Sequence, residues 1–259
     1  MISKAKIKYI RSLELKKNRQ REGVFVAEGP KAVGDFLKTR PALFIACTES
    51  WKNSGATSQH PQAAETAIVS HEELCKISFM QHPQEVLALF PIPQNNPHSQ
   101  PGSEELCLAL DDVQDPGNLG TIIRIAHWFG ISRIYCSPGT ADAYNPKTVQ
   151  ASMGSLAHVN LVYTPLPQLI SSLPPHYPVY GTLLNGENIY HTHLTPHGLI
   201  IMGNEGSGIS VDLQSQITQR LRIPNYPPET PTADSLNVSV AAAVVCSEFR
   251  RRQHNTPNI

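Results

Sequence analysis

The feature that most constrains the fold is a series of short apolar runs, separated by helical stretches, in the second part of the chain. Each run has only four or five residues. Such runs are typical of strands in a parallel sheet that helices cover on both faces, and ligands bind beyond the carboxyl ends of these strands. The runs occupy residues 106–110, 133–136, 159–163, 179–182, 199–202 and 220–223.

A proline-rich segment divides the chain into two parts. Residues 91–105 contain four prolines together with Asn, Ser, Gln and Gly, a composition that excludes a helix or a central strand. We therefore predict one domain over residues 1–90, a linker over 91–105 and a second domain over 106–259.

The first 90 residues also alternate between helix and strand signals. Ser70 and Glu73 form a capping box, in which each side chain satisfies a backbone N–H of the other residue. Pro30 is suited to the first turn of another helix. The pattern predicts a small α/β domain. Its helices are expected over 3–19 and after residues 29 and 70, and its strands over 24–27, 43–47 and 67–69, with the run 85–90 closing the unit.

The net charge of zero and the pI of about 7.2 would by themselves argue against nucleic-acid binding. The positive charge is nevertheless concentrated at one end, because residues 1–31 carry nine lysines and arginines against three glutamates. This basic run predicts either a solvated helix face or a patch that contacts RNA phosphates.

Several classes of protein are disfavoured. There is no run of about 18 apolar residues, and the basic N-terminus lacks the apolar stretch of a signal peptide. Four of the five scattered cysteines lie in apolar stretches, which predicts buried free thiols in a reducing compartment. We therefore expect a cytoplasmic protein with neither a membrane nor a metal as partner.

Two other residue sets invite functional interpretations. His191, His193 and His197 have a metal-like spacing, but they lie in a connection that contains Thr and Pro, and we expect them at the surface. Trp51 and Trp128 are expected to be packing residues. Stacking of Trp51 on an RNA base is the alternative.

Three segments that follow predicted strands carry groups suited to a ligand site. In residues 110–130, a Pro-Gly turn leads into a helix on which Asn118 and Arg124 are expected to project to the same side, nearly two turns apart. The glycine spacing of this turn fits neither a dinucleotide-binding fingerprint nor a phosphate loop with its lysine.

In the second segment, residues 199–210, an apolar strand leads into Gly203-Asn-Glu205-Gly-Ser-Gly. Its three glycines let the backbone turn sharply next to a ligand, and Glu205 can accept hydrogen bonds. In the third segment, residues 222–252, Ser235 and Asn237 flank the start of a helix. Taken alone, both are ordinary N-cap residues.

In this order, the segments resemble the SpoU branch of the SPOUT superfamily, the trefoil-knot RNA ribose 2′-O-methyltransferases. The resemblance spans residues 106–252, and residues 3–90 are similar to the family's small RNA-binding domain. The loop over 225–234, which borders the expected cofactor pocket, is longer and richer in proline than in the family. The matching motifs are Asn118 with Arg124, Gly203-Asn-Glu205-Gly-Ser-Gly, Ile223-Pro224 and Ser235-Leu-Asn237-Val-Ser.

The resemblance implies a C-terminal parallel-sheet α/β trefoil-knot (SPOUT) domain, an exception to unknotted topology, preceded by a small ribosomal-protein-like α/β RNA-binding domain. It implies S-adenosylmethionine as cofactor, held against Gly203, Ile223 and Leu236, and structured rRNA or tRNA as substrate. It also implies a homodimer in which the C-terminal helices, with Ala241-Ala-Ala, pack together. The catalytic residues that it implies are Arg124, Asn118, Glu205, Ser235 and Asn237.

The role of Arg124 has two interpretations. A guanidinium stays protonated at neutral pH and is a poor general base, which favours a clamp on the adjacent RNA phosphate that orients the ribose hydroxyl. Deprotonation assisted by that phosphate is the alternative. Two other functions are the alternatives: a non-catalytic RNA-binding protein on the same fold, and a nucleotide-dependent oxidoreductase, for which the G-x-G-x-x-G turn is missing.

Overall fold

A computed structural model of the chain describes residues 2–54, 63–227 and 233–254. The chain forms two compact units. One consists of Met1–Gln94 with Asp142–His158, and the other of Asn95–Ala141 with Val159–Ile259. The first unit therefore includes a short segment from outside residues 1–90. The division at residues 91–105 stays a prediction.

A mixed four-stranded sheet forms the centre of the first unit, in the order β1-β4-β2-β3. Strand β4 is antiparallel to β1 and β2, whereas β3 is parallel to β2. The strands are β1 (Val24–Glu28), β2 (Phe44–Cys47), β3 (Thr66–Ile68) and β4 (Val86–Pro91).

The helices of this unit start largely where the sequence indicates. Pro30 lies in a first turn, and the capping box of Ser70 and Glu73 is present. The helix expected over 3–19 is instead two helices, because the chain turns at Leu13, whose side chain is fully buried. The helices are α1 (Lys4–Ser12), α2 (Lys16–Glu22), α3 (Pro30–Thr39), α4 (Glu49–Asn53), α5 (His71–Ile77) and α7 (Pro146–Ala151).

Two side chains of this unit that could have contacted RNA are buried instead. Arg19, part of the basic run, is only 1% exposed; it donates to the carbonyl oxygens of Leu13 and Glu14 and forms a 2.6 Å ion pair with Asp142. It is therefore an internal cross-link and cannot contact RNA. Trp51 is 3% exposed, which confirms that it is a packing residue and excludes base stacking.

The second unit is built on a six-stranded sheet in the order β10-β8-β9-β5-β6-β7. All five neighbouring pairs are parallel, as predicted. The strands are β5 (Leu106–Leu110), β6 (Arg133–Cys136), β7 (Asn160–Tyr163), β8 (Val179–Asn188), β9 (Gly198–Met202) and β10 (Gln219–Arg222). The helices are α6 (Pro116–Trp128), α8 (Leu166–Ser171), α9 (Val211–Gln214) and α10 (Val238–His254).

Strand β8 is longer than the apolar run that predicted it. Its last residues are polar and partly exposed, so hydrophobicity alone does not mark them as a strand. They pair with β10 across an irregularity between Arg220 and Leu221. Gly186 lies so close to this strand that a Cβ atom would be 2.5 Å from the carbonyl carbon of Leu221.

Within the described ranges, no helix has the length and apolarity needed to cross a membrane. All five cysteines are free thiols. Four are buried, as predicted, and Cys75 is exposed.

Candidate active site

The site begins at the connection between β5 and α6. Asp115 is the N-cap of α6, and its carboxylate accepts a 2.8 Å hydrogen bond from the backbone N–H of Asn118. Pro116 occupies the first turn, where its missing N–H costs no hydrogen bond. This start places Asn118 in the first turn of α6, just beyond the carboxyl end of β5.

Three predicted catalytic residues meet at this end of the sheet. Nδ2 of Asn118 donates a 2.6 Å hydrogen bond to Oε1 of Glu205, and Oδ1 of Asn118 accepts a 3.0 Å hydrogen bond from Nδ2 of Asn237. Because both ends of the Asn118 amide are used, its orientation is fixed. The structure thus joins one residue from each of the three sequence motifs into an amide network.

Asn237 also caps helix α10. Its Oδ1 accepts hydrogen bonds from the backbone N–H and the hydroxyl of Ser239, at 3.0 and 2.6 Å. The amide nitrogen remains available for Asn118, so the residue serves as both an N-cap and a member of the network. Ser235 is exposed and lies two residues earlier, before the helix starts at Val238.

Glu205 lies at the tip of the loop between β9 and α9. The backbones of Asn204 and Gly208 exchange two hydrogen bonds of 3.0 and 2.9 Å, which close the loop into a tight turn. Gly203 sits beneath this turn, where a Cβ atom would be 2.3 Å from the carbonyl carbon of Gly208. No other residue fits at this position.

A cavity of about 540 Å³ opens beside the network. Its volume is within the usual range for small-molecule sites, about 300–1,000 Å³. All three predicted cofactor-binding residues line it, and Leu236 presents an apolar side chain that is 50% exposed. The other lining residues include Leu183, Leu184, Met202, Asn204, Glu205, Ile209, Asp234 and Ser235.

The lining fits S-adenosylmethionine. An adenosine joined to an amino acid needs apolar walls and hydrogen-bonding backbone groups, and it carries no phosphate. Leu183, Ile209 and Leu236 supply apolar walls, and the glycine-rich loop exposes main-chain groups without intervening side chains. Leu183 and Leu184 belong to the extension of β8, which the sequence did not reveal. Two leucines just before Asn185-Gly186 were the available signal.

Arg124 lies outside the amide network, contrary to the expectation that it shares a side with Asn118. Six residues correspond to about 600° of helical rotation, which leaves the two side chains about 120° apart. Arg124 is exposed and makes no hydrogen bond or ion pair with the described residues. Glu205 contacts Asn118 rather than this arginine.

Trp128 follows Arg124 by one turn on the same face of α6, and it is 84% exposed. Trp128 is therefore not buried in the core of a single chain, and the prediction that it is a packing residue is wrong. The long loop over 225–234 is described only in part, because residues 228–232 lie outside the described ranges. Its described flanks, Ile223 and Asp234, line the cavity.

The three histidines with a metal-like spacing differ in exposure. His191 and His193 are exposed, and His197 is half-buried beside Tyr177. Among the described residues, no group of three or more His, Cys, Asp or Glu side chains has a metal-binding arrangement.

Comparison with known proteins extends these observations. The profile of the SpoU rRNA Methylase family matches residues 105–247, and that of the MRM3-like substrate binding domain matches residues 4–88. The 23S rRNA (guanosine(2553)-2′-O)-methyltransferase of Bacillus subtilis is 31% identical over 95% of this chain and 96% of its own length.

Two solved structures are similar over nearly their whole length. A TrmH-family protein from Porphyromonas gingivalis has 38% identity and a TM-score of 0.87, covering 97% of this chain and 99% of its own. An AdoMet-bound rRNA methyltransferase from Sinorhizobium meliloti has 28% identity and a TM-score of 0.81, covering 97% and 96%. The predicted α/β SPOUT fold is confirmed. The chain therefore belongs to the SpoU rRNA methylase family.

Proposed function

We propose that this chain transfers a methyl group from S-adenosylmethionine to a ribose 2′-hydroxyl of ribosomal or transfer RNA. Membership of the SpoU family supports the enzyme class and the cofactor. The observation that carries the proposal is the amide network of Asn237, Asn118 and Glu205 at the rim of the 540 Å³ cavity. The network borders the place where a cofactor and a substrate would meet.

The cofactor, when bound, supplies an electrophilic methyl group on a sulfonium centre. In this proposal Gly203, Ile223 and Leu236 hold it, with the loop backbone close to its polar groups. Asn118 and Asn237 orient the incoming ribose, and Ser235, which lines the cavity, contacts the RNA substrate. Glu205 fixes the Asn118 amide by accepting its hydrogen bond.

Arg124 completes the substrate site in this proposal. Its planar fork binds the RNA phosphate next to the target ribose and aligns the hydroxyl for in-line attack. Transfer of the hydroxyl proton to that phosphate is the alternative interpretation. An exposed guanidinium that has no partner among the residues the structure describes is suited to a group that only the substrate supplies.

The decisive experiment is methyl transfer in vitro from labelled cofactor to purified rRNA and tRNA. We expect label on a ribose, at a position that is unmethylated in RNA from cells that lack the gene. Binding of RNA without any transfer would favour the non-catalytic alternative. Label on a base would contradict the proposed acceptor. A cytoplasmic location is part of the proposal, since all five cysteines are free thiols.

The first unit is proposed to bind the RNA. Lys4, Lys8, Lys16 and Lys17 are exposed and form no ion pair with the described residues, whereas Arg21 pairs with Glu22. Reversing Lys16 and Lys17 to glutamate should weaken RNA binding about tenfold and flatten its salt dependence. Lys52→Glu with Lys76→Glu is the matched control in the same unit. If both double substitutions weakened RNA binding equally, the basic run would have no specific role in binding RNA.

A homodimer is also proposed. Helix α10 leaves Val240 half exposed, and α6 exposes Trp128, although each helix packs against the other within one chain. A second copy would cover these apolar side chains. Trp128→Glu should then yield a monomer at micromolar concentration, measured by light scattering. A wild-type protein that is already monomeric and fully active would contradict the proposal.

A further inference from the structure

We infer that Asn204 is a positioning residue that anchors the glycine-rich loop, and with it Glu205, to the end of strand β5. The inference rests on the proposed function, because this loop lines the cofactor cavity and carries one member of the amide network. Asn204 itself makes no hydrogen bond to the network within the described residues.

The side chain of Asn204 shapes the loop and attaches it at the same time. Its Oδ1 accepts hydrogen bonds from the backbone N–H groups of Gly206 and Ser207, at 2.8 and 3.1 Å. Its Nδ2 donates a 2.7 Å hydrogen bond to the carbonyl oxygen of Asp112, which lies 92 residues away in the sequence. One amide therefore connects the turn around Glu205 to the β5–α6 connection.

The accepting carbonyl is held firmly in place. Asp112 has a φ of +54°, in the left-handed region that is uncommon for residues other than glycine. Its backbone N–H donates to Oγ of Ser137 at 2.9 Å, and the same hydroxyl donates to the Asp112 carboxylate. Gly139 leaves room for that carboxylate, since a Cβ atom there would be 2.4 Å from it. The anchor is thus preorganised.

A second anchor lies at the other end of the loop. The backbone N–H of Ser210 donates a 2.7 Å hydrogen bond to Oδ2 of Asp111, which is buried. The backbone N–H of Asp111 in turn donates to the carbonyl oxygen of Met202, the last residue of β9. Both ends of the loop are therefore fixed to the residues that follow β5, and Glu205 lies between these two anchors.

The sharpest test is Asn204→Asp. The substitution keeps the oxygen that accepts from Gly206 and Ser207, but it replaces the donor to Asp112 with an oxygen that faces a carbonyl oxygen. We expect binding of S-adenosylmethionine, measured without RNA, to weaken about tenfold, as for the loss of one anchoring hydrogen bond. The kcat should fall while the KM for RNA stays constant. Amide hydrogen exchange in residues 203–210 should become faster.

Ser137→Ala removes the support of the Asp112 backbone from the opposite side and leaves the cavity lining intact. The two substitutions act on one connection, so their combined effect on cofactor affinity should be smaller than the sum of the single effects. Asn188→Asp is the matched control. Its Oδ1 also accepts a hydrogen bond within its own turn, from Tyr190, but its amide has no described link to another segment.

The outcomes separate this inference from the proposed function. Weaker cofactor binding and faster exchange in Asn204→Asp, with Asn188→Asp unchanged, support the anchor even if no RNA is methylated. Unchanged cofactor affinity and unchanged exchange in Asn204→Asp overturn it, whatever the enzyme activity. A comparable loss in Asn188→Asp would also overturn it, because the effect would then not depend on the Asp112 contact.

Discussion

At the carboxyl ends of the six-stranded sheet, the polar side chains of the amide network are at least partly exposed, whereas the polar side chains around Arg133 at the amino ends are bonded to other groups of the protein. Asn118, Glu205 and Asn237 represent the first arrangement. At the opposite end, the guanidinium of Arg133 donates to the hydroxyls of Ser99 and Tyr135 and lies 3.6 Å from a carboxylate oxygen of Glu105. One end can meet a ligand, and the other is already satisfied internally.

The strongest pKa shifts in this sheet follow burial rather than proximity to the cavity. Within β6 and β5, burial raises the pKa of Tyr135 to about 12 and also raises the pKa of Cys107 to about 12. These shifts arise from desolvation, and neither group faces the cavity. A strongly shifted pKa is often taken as a sign of function. In this protein it marks burial alone, because burial also raises the pKa of the Cys136 thiol at the carboxyl end of β6.

The largest expected effect concerns Arg124 at the carboxyl end. Arg124→Ala and Arg124→Lys should each lower methyl transfer by about a hundredfold or more, the scale for losing one aligned catalytic group. Lysine keeps the charge but loses the planar fork. Thermal stability and cofactor affinity should stay close to wild type, because the side chain has no internal partner among the described residues.

Arg220→Ala is the matched control, since Arg220 is exposed and does not line the cavity. Its rate of methyl transfer in single-turnover assays should equal that of the wild type. Near-normal activity in Arg124→Ala would remove the catalytic assignment. A loss of activity that is explained by unfolding would show that Arg124 has a structural role, like the residues at the amino end of the sheet.

The next effect tests the amide network. Asn118→Asp keeps the size of the side chain but puts a carboxylate 2.6 Å from Glu205 in place of the donor. A hydrogen bond to a charged group contributes about 1.5–3 kcal/mol, so kcat should fall by about ten- to a hundredfold. Asn160→Asp makes the same change at the start of β7, at the amino end of the sheet, and should leave kcat unchanged. Equal effects would end the distinction between the two ends.

A substitution at the amino end should show the reverse behaviour. Arg133→Ala leaves the carbonyl oxygen of Gln100 without its donor and removes the partner of Glu105. The free energy of unfolding should decrease by about 1–3 kcal/mol, measured by urea denaturation. The kcat of the folded enzyme should not change. A drop in kcat at full folding would show that this end also influences the reaction.

The smallest effect is a change in pH dependence. The Tyr135 pKa is raised from 10.0 to about 12, so above pH 10 the unfolded chain releases a proton that the folded chain keeps. The contribution of Tyr135 to stability is complete below the unfolded pKa and disappears as the pH rises through the folded one. Tyr135→Phe should therefore lose less stability between these values than wild type. Parallel curves of urea midpoint against pH would contradict this.

Much of the fold could be predicted because local signals suffice for it. Apolar runs mark strands buried on both faces, and β5 and β6 begin and end as predicted. The capping box of Ser70 is likewise a local device. The end of β8 was missed because its pairing partner, β10, lies far along the chain and its residues are polar. When a strand end is held by pairing with a distant strand, its own residues need not show the hydrophobic pattern that predicts a strand.

The amino-acid sequence by itself determined the order of elements, the parallel sheet and the three motifs that resemble the SpoU family, because spacing and residue type are local properties. Only the tertiary structure decided which motif residues touch. It joined Asn118 to Glu205 and Asn237, left Arg124 to solvent and buried Arg19 against Asp142. These outcomes depend on how distant segments pack, and the direction of a side chain relative to such a segment is fixed only when the chain has folded.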